Sequence, residues 1–419
     1  MKQDIICCEA LDRQSLCGAV DEFLRTVRPQ RLRLRDYYLG QQPVNKGETV
    51  RGRPNNLLRV PFPRYITEVH TGYFLGLPPT LAFADGGAAA RYEALRRSLR
   101  LDHLLFDIGR DLSICGAGFL LVWAERSGLR ACRCAPEDCF AIRSGEAGAP
   151  LRGLVRLYSR DGQRTQGVLC TADAVTPFDY DGQCITLGAG RENLFRLPPL
   201  IPFSNNCQGT GDFEMVTGLV DAYNLLLSGA MDDMQSVANS FLALYGMQGT
   251  TQSDIDRANR TRLLSLSEGG RAEFVTKNLN HEALGQLEQN LRRSILQLSM
   301  TPDLSDESFS GNSSGVAMQY KLWGIEQTRA AKERAFTDSV AALLRLLTAG
   351  EHLLGGGADF TSGVLTFYKN LPQNHTELAE TLLKLSPVLS RQTILENLPY
   401  VTDAKAELRR KTEEESEKE

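Results

Sequence analysis

The sequence predicts a mainly helical α+β protein, and three observations carry that expectation. From Phe213 the apolar positions fall at 213, 216, 220, 223, 227, 230, 234, 237 and 241. These steps alternate three and four through about four heptads, which describes one long helix with a continuous seam. A second helical stretch from 280 sets Leu284, Leu287, Leu291, Ile295 and Leu298 on one face. Between about 117 and 203 the pattern changes to short strands separated by turns.

A chain of 419 residues has room for two or three domain-sized units. Its formal charge is −4, from 47 basic and 51 acidic residues. A protein that grips nucleic acid by neutralising phosphates carries a basic excess, so any such contact here is local or weak. No stretch approaches the uninterrupted apolar length of a membrane helix, and MKQDIICCEALDRQ lacks the basic-then-apolar order of a signal peptide. A reducing cytoplasm is the expected setting. The ten cysteines then read as reduced, partly buried thiols. Cys132, Cys134 and Cys139 sit close together, but no CxxC pair or suitably spaced histidine completes a zinc site. No metal is expected.

The elements follow in order. Residues 11–40 form an amphipathic helix with Leu16, Val20, Phe23, Leu24 and Val27 inward, running into the basic RPQRLRLRDYYLG. RPNNLLRVPFPRYITEVHTGYFLG reads as a short extended piece entering a helix. Residues 91–115 read as one further amphipathic helix. GFLLVWAERSGLRACRC is strand–turn–strand with Ser127-Gly128 at the bend, and LRGLVRLYSRDGQ repeats the design at Asp161-Gly162. Residues 194–203 are extended, and Asp212 is the expected N-cap of the long helix. FLALYGMQG and RLLSLSEGGRAEFVTKNL alternate like strands around a short polar helix, 253–260. Pro302 is expected to end the second helix, so two helices flank a small α/β knob. Residues 314–348 read as one helix, stopped by GGGADF before the strand VLTFYKNLP. Two short helices divided at Ser386-Pro387 and a charged helical tail complete the chain.

The search for chemistry finds no catalytic constellation. The histidines at 70, 103, 281, 352 and 375 fall in unrelated elements, and HExxH and GxSxG motifs are absent. SDESFSGNSSGVAMQYK, residues 305–321, looks like a phosphate cradle. Its first lysine, however, is Lys321, six residues beyond Gly315, and the stretch follows a helix end instead of a strand. GTGDFE carries Glu214 where a dinucleotide fingerprint needs its third glycine. Asp232-Asp233 and Asp303 with Asp306-Glu307 read as solvated or capping acids before acid–base couples. The basic run 28–35 reads as a solvated helix face or as subunit salt bridges before a nucleic-acid contact. No catalytic residue and no cofactor is expected, which points to a structural or mechanical protein.

Several segments together resemble a known family. RDYYLGQQPV, PNNLLRVPFPRYITEVHTGYFLGLPP, APEDCFAI, the GDFEMVTGLVDAYNLLLSGAMDDMQSVANSFLALYG helix and TPDLSDESFSGNSSGVAMQYKLWGIEQTRAAKER occur in family order. With a looser match over FYKNLPQNHTELAETLLKLSPVLSRQTILENLPYVTDAKAEL they span about residues 30–410. The chain resembles the portal proteins of tailed bacteriophages, in the branch typical of siphophages and prophages of Gram-positive bacteria. The cysteine richness departs from the family pattern.

The resemblance implies a portal fold. The wing would be 1–211 with 316–371, the stem helices 212–238 and 280–300, the clip 239–279, the tunnel loop 301–315, and the crown with its charged tail 372–419. It implies a homododecameric ring at the capsid vertex of the virion, assembled in the host cytoplasm, through which double-stranded DNA is packaged and ejected. The implied partners are further copies of the chain, double-stranded DNA held weakly, the terminase large subunit, a head–tail adaptor, and the major capsid protein and scaffold. No membrane partner is implied. Ser308, Phe309, Ser310, Gly311, Asn312, Ser313, Ser314 and Gly315 would form the tunnel loop. Its hydroxyls and amide can touch phosphates without strong charge attraction, its glycines let it reshape, and Phe309 would anchor it or press on the duplex. Phe213, Val216, Val220, Tyr223, Leu227 and Met234 would be the stem seam. Arg292, Arg293 and Lys321 are candidates for channel charge, with subunit salt bridges the equal alternative. A non-portal structural oligomer of the connector and a nucleotide-binding enzyme are the competing readings.

Overall fold

The computed structural model describes residues 5–7, 11–46, 54–146, 148, 150–159, 165–238, 241–245, 251, 253, 256–257, 271–275, 281–305, 315–369, 382–396, 401 and 407–411. After strand β1, Ile5–Cys7, the predicted N-terminal helix forms with a widened turn inside it. Helix α1 is Arg13–Glu22, a π turn covers Phe23–Val27, and α2 is Arg28–Tyr38. Pro29 carries no N–H, so the ladder cannot close in the ordinary way, and Arg28 reaches back to the Phe23 carbonyl instead. Asp12 caps α1 by accepting from the Ser15 N–H at 2.8 Å.

Helix α3, Phe62–Leu75, precedes strand β2, Thr80–Ala82. The single helix expected over 91–115 is two: α4, Gly86–Leu99, and α5, Leu101–Cys115. Arg100 between them is left-handed, with φ 53° and ψ 44°. The bend lets Tyr92, Leu95 and Leu99 of one helix and Leu101, Leu105 and Ile108 of the other enter one core. The two-residue step from Leu99 to Leu101 is its only trace in the pattern, because an arginine seldom marks a left-handed position.

Gly116, at φ 74°, ends α5 and turns the chain into the hairpin β3, Ala117–Glu125, and β4, Gly128–Cys134. The strands β5 (Cys139–Ser144), β6 (Leu151–Ser159), β7 (Thr165–Cys170), β8 (Ala174–Tyr180), β9 (Ile185–Leu187) and β10 (Arg191–Glu192) follow. They form a sheet ordered β1-β5-β6-β7-β8-β10, with β9 also on β8. α1 and the π turn cover it: Leu16, Val20, Phe23 and Val27 share a core with Phe140, Val155, Phe178 and Ile185. Phe23 stacks on Phe140 with ring centroids 4.5 Å apart. β11, Leu200–Ser204, pairs antiparallel with β3 in a second sheet.

A 3-10 turn, Glu214–Val216, leads into α6, Thr217–Ala238. β12, Phe241–Tyr245, and β13, Arg271–Val275, form within the predicted strand stretches and pair antiparallel; residues 246–249, 262–270 and 276–279 of those stretches lie outside the described residues. Of the short polar helix expected at 253–260, Ser253, Asp256 and Arg257 are helical and the others lie outside the described residues. Helix α7 is His281–Leu298. It stops before Pro302: Met300 is left-handed at φ 55°, and the Thr301 N–H returns to the Leu296 carbonyl at 2.9 Å.

The helix expected over 314–348 is α8, Gly315–Lys321, followed by α9, Trp323–Leu353. The interruption at Leu322 is slight, since the Glu326 N–H still bonds the Leu322 carbonyl at 3.0 Å. α9 packs on β11, with Phe336 and Phe203 centroids 5.0 Å apart. Gly355, at φ 82°, follows its end, and β14, Val364–Thr366, pairs antiparallel with β2. Contacts divide the chain into Met1–Tyr368 and Lys369–Glu419. Within the second unit, residues 382–385 are helical, a turn follows at 386–388, and Arg391–Glu396 is helical again.

Candidate functional site

The site is built around the α6–α7 pair. Phe213, Val216, Val220 and Tyr223 are buried in a core shared with Ile295 and Leu296 of α7, Ile66 of α3 and Tyr37 of α2. Leu227 packs at its margin. The Tyr223 hydroxyl donates to Glu288 Oε1 at 2.6 Å, joining the two helices, and Tyr37 donates to Asp221 at 2.7 Å. Beyond Leu227 the seam leaves the core, and Met234 is 60% exposed. On α7 the same happens to Leu287 and Leu298, at 47% and 62%. The heptad pattern therefore exceeds what one copy of the chain buries.

The polar side of α6 carries a strap, residues 54–60. The N–H groups of Val60, Leu58 and Asn56 donate to Asn224 Oδ1, Ser228 Oγ and Asp232 Oδ1, at 2.8, 2.9 and 2.7 Å. Alternate residues of the strap thus meet every fourth residue of the helix. Two extended residues advance about 6.6 Å and four helical residues about 6 Å, so the repeats stay in step over three contacts. Asn56 also donates from Nδ2 to Asp232, and Lys46 pairs with the same carboxylate. The Lys46 contact first, then the Asn56 N–H, holds Asp232 below its usual pKa. Asp232 is therefore a structural acceptor, neither one of a catalytic pair nor an idle solvated acid. PNN and DAYN stood out in the sequence, but their pairing spans more than 160 positions and left no local signal.

Where α6 begins, Gly211 lies so close to α5 that a Cβ there would fall 2.4 Å from the Ile114 carbonyl oxygen. This approach delivers Asp212 into the interior, its N–H bonded to the Ser113 carbonyl at 2.8 Å. Asp212 is not the predicted helix cap. Its carboxylate pairs with Lys332 of α9 at 2.5 Å, accepts from Asn205 Nδ2 at 2.9 Å and faces His70 Nδ1 at 3.8 Å. Burial raises its pKa, but the Lys332 ammonium beside it, by charge and hydrogen bond, outweighs that and leaves it below the usual range. Burial drives His70 down to about 4, so the ring is neutral. His70 Nε2 meets the Ser299 carbonyl at 3.1 Å and Thr301 Oγ1 at 3.0 Å.

Helix α3 thereby grips both flanks of segment 306–314. On one side Tyr65 donates to the Pro302 carbonyl at 2.9 Å and accepts from the Leu304 N–H at 3.1 Å, beside the His70 contacts. On the other, Tyr73 bonds Glu326 of α9. Arg292 pairs with Asp303 at 3.0 Å and bonds Ser305. Arg293 and Lys321 are exposed. Ser308, Phe309, Ser310, Gly311, Asn312, Ser313 and Ser314 lie outside the described residues, and Gly315 is the first residue of α8.

The basic run of α2 is occupied within the chain. Arg28 pairs with Asp138 at 3.5 Å and Arg35 with Glu137 at 2.9 Å. The buried Arg31 donates to the carbonyls of Pro136 and Cys139, the latter at 2.7 Å. The APEDC turn is thus the partner of Arg28, Arg31 and Arg35, while Arg33 is exposed and donates to Tyr37 at 3.2 Å.

By fold the chain is similar to chains of two solved particle necks. It aligns with a chain of the structure described as "Neck of empty GTA particle computed with C6 symmetry" at TM-score 0.53 and 12% identity, covering 88% of this chain and 94% of that one. A chain of "Neck of native GTA particle computed with C12 symmetry" aligns at 0.50 and 11%, covering 81% and 88%. Residues 25–419 match the family described as "Phage portal protein, SPP1 Gp6-like", and the chain belongs to that family. It is 23% identical to the portal protein of Clostridium phage phiCD119 over 218 residues, 51% of this chain and 47% of that protein. Against the portal protein of Bacillus phage SPP1 it is 23% identical over 227 residues, 52% of this chain and 44% of that one. The chain spans about half the length of these relatives.

Proposed function

We propose that this chain is the subunit of a phage portal: a ring at the capsid vertex whose central channel passes double-stranded DNA in packaging and ejection. The observation that supports the reading is the anchoring on α3 of the residues before and after segment 306–314, together with a packed helix pair whose apolar seam outruns its own cover. Twelve subunits side by side would bury the outer seam at Met234, Leu287 and Leu298. They would also bring twelve copies of the 308–315 loop around one axis.

In that ring α6 and α7 are the stem and the β12–β13 hairpin belongs to the clip, which meets the terminase large subunit and later a head–tail adaptor. Residues 1–211 and 316–371 are the wing, which meets the major capsid protein and scaffold, and 372–419 the crown. The virion is its place, after assembly in the host cytoplasm. Ser308, Ser310, Asn312, Ser313 and Ser314 touch phosphates lightly, and Phe309 presses on or anchors beside the duplex. Arg293 and Lys321 add channel charge, while Arg292 steadies the loop's base through Asp303. A formal charge of −4 suits a passage in which DNA slides without being held. The function requires no catalytic chemistry of this chain.

Negative-stain imaging of the purified protein tests the reading. Rings with a central channel are expected; monomers or filaments under every assembly condition would overturn it.

A further inference from the structure

Among the described cysteines, Cys17 and Cys184 meet through one surface turn. Cys115, Cys134, Cys139 and Cys170 are buried, whereas Cys184 is exposed and Cys17 is partly so. Cys17 lies on α1, next to the core residue Leu16; Cys184 lies in the β8–β9 turn, next to Ile185 of the same core. Packing of Leu16 and Ile185 therefore holds the two thiols on neighbouring surfaces.

The turn presenting Cys184 is well defined. Asp181 Oδ1 accepts from the N–H groups of Gln183 and Cys184 at 2.9 and 2.7 Å. Tyr180 donates to the Gly182 carbonyl at 3.0 Å and to Asp21 of α1 at 3.2 Å, tying turn to helix. Cys17 Sγ donates to the Gln183 carbonyl oxygen at 3.1 Å. A carbonyl oxygen sits about 2.8 Å from the next Cα, so Cys17 Sγ is within about 6 Å of the Cys184 Cα. The contact brings the Cys17 thiol beside the Cys184 backbone; closing a disulfide takes Cα atoms about 4.4–6.8 Å apart with both side chains turned toward each other.

We propose that Cys17 and Cys184 form an oxidisable staple, open as two thiols in a reducing compartment and closed as a disulfide outside it. Cys17 precedes the family match, which begins at residue 25, and Cys184 lies within it. The oxidant is a small-molecule disulfide. The accessible Cys184 thiolate attacks one of its sulfurs and releases one small thiolate, leaving a mixed disulfide. The Cys17 thiolate then displaces the second small thiol and forms the Cys17–Cys184 bond. Two protein thiols are oxidised and one reagent disulfide is reduced to two thiols. Burial, then the Cys184 thiol and the Asp21 and Asp181 carboxylates, push the Cys17 pKa up. The second step therefore quickens as pH rises.

The test treats the folded full chain with oxidised glutathione, caps remaining thiols with iodoacetamide and maps peptides by mass spectrometry. A Cys17–Cys184 linked peptide is expected, lost on reduction and formed faster at higher pH. Cys17→Ser should trap Cys184 as the glutathione adduct, and Cys184→Ser should leave Cys17 to be capped. Oxidation should raise Tm by about 5 °C in the natural chain and in neither variant. Cys207, also exposed, reports that the reagent reached surface thiols. Glutathione on Cys207 and Cys184 with Cys17 still capped would overturn the proposal, as would linkage of Cys17 to any other cysteine.

Discussion

Lys332 and Asp212, 120 positions apart, meet at 2.5 Å with each side chain only 2% exposed. This contact joins α9 to the start of α6, and through His70 to the residues that follow α7. Removing one member strands the other charge in the interior, which costs about 3–5 kcal/mol, whereas replacing both by apolar residues is much milder. Lys332→Met is expected to lower stability by that amount in thermal unfolding. Lys332→Met with Asp212→Leu should recover most of it; equal losses for single and double variants would refute a mutual pairing.

The same junction makes stability depend on pH. His70 has its pKa lowered from 6.5 to about 4, so below pH 6.5 the unfolded chain takes up a proton that the folded chain refuses. The stabilisation is complete above pH 6.5 and fades as pH falls towards 4, on the order of 3 kcal/mol across the window. Asp212, depressed in the fold, adds a further loss as pH falls below the ordinary carboxylate range. His70→Gln should flatten urea-derived stability between pH 6.5 and 4; an unchanged slope would place the titration elsewhere.

Asn224→Ala tests the strap. It leaves the Val60 N–H without its acceptor, and about 1–3 kcal/mol should be lost. Hydrogen exchange at the Val60 amide should quicken while amides of the α1 core keep their protection.

The two halves of the stem seam should respond differently. Ile295, fully buried, costs about 2–5 kcal/mol when cut to alanine. Met234→Ser, at a position 60% exposed, should leave the unfolding curve of the isolated chain nearly unchanged. Sedimentation should then show impaired ring assembly, and unimpaired rings would mean that no neighbour covers this surface.

Shortening 308–314 should leave rings intact and impair DNA packaging or retention. Failure to form rings would make the segment an assembly element.

Much of the fold was legible because its signals are local. Period-two alternation marked β3, β4 and the β12–β13 hairpin, and three-four spacing marked α6, α7 and α9. Order-preserving motifs such as PNN, GDFE and FSGNSSGVA carried the family. Left-handed arginine and methionine residues, by contrast, have no signature in composition. This hid the break at Arg100 and placed the end of α7 at Met300, ahead of Pro302.

The sequence by itself determined most of the described helices and strands, and that two long helices, α6 and α7, flank the β12–β13 pair, because those properties follow from residue spacing within a few turns. Only the tertiary structure decided what the polar residues do. Asp212 looked like a cap and is a buried ion-pair partner; Asp232 looked solvated and holds the strap; Arg28, Arg31 and Arg35 of α2 looked solvated or paired between subunits and are bound to the 136–139 turn. Charges and hydrogen-bond donors are satisfied by whatever the fold brings within about 3 Å, and partners more than a hundred residues away leave no periodicity to read.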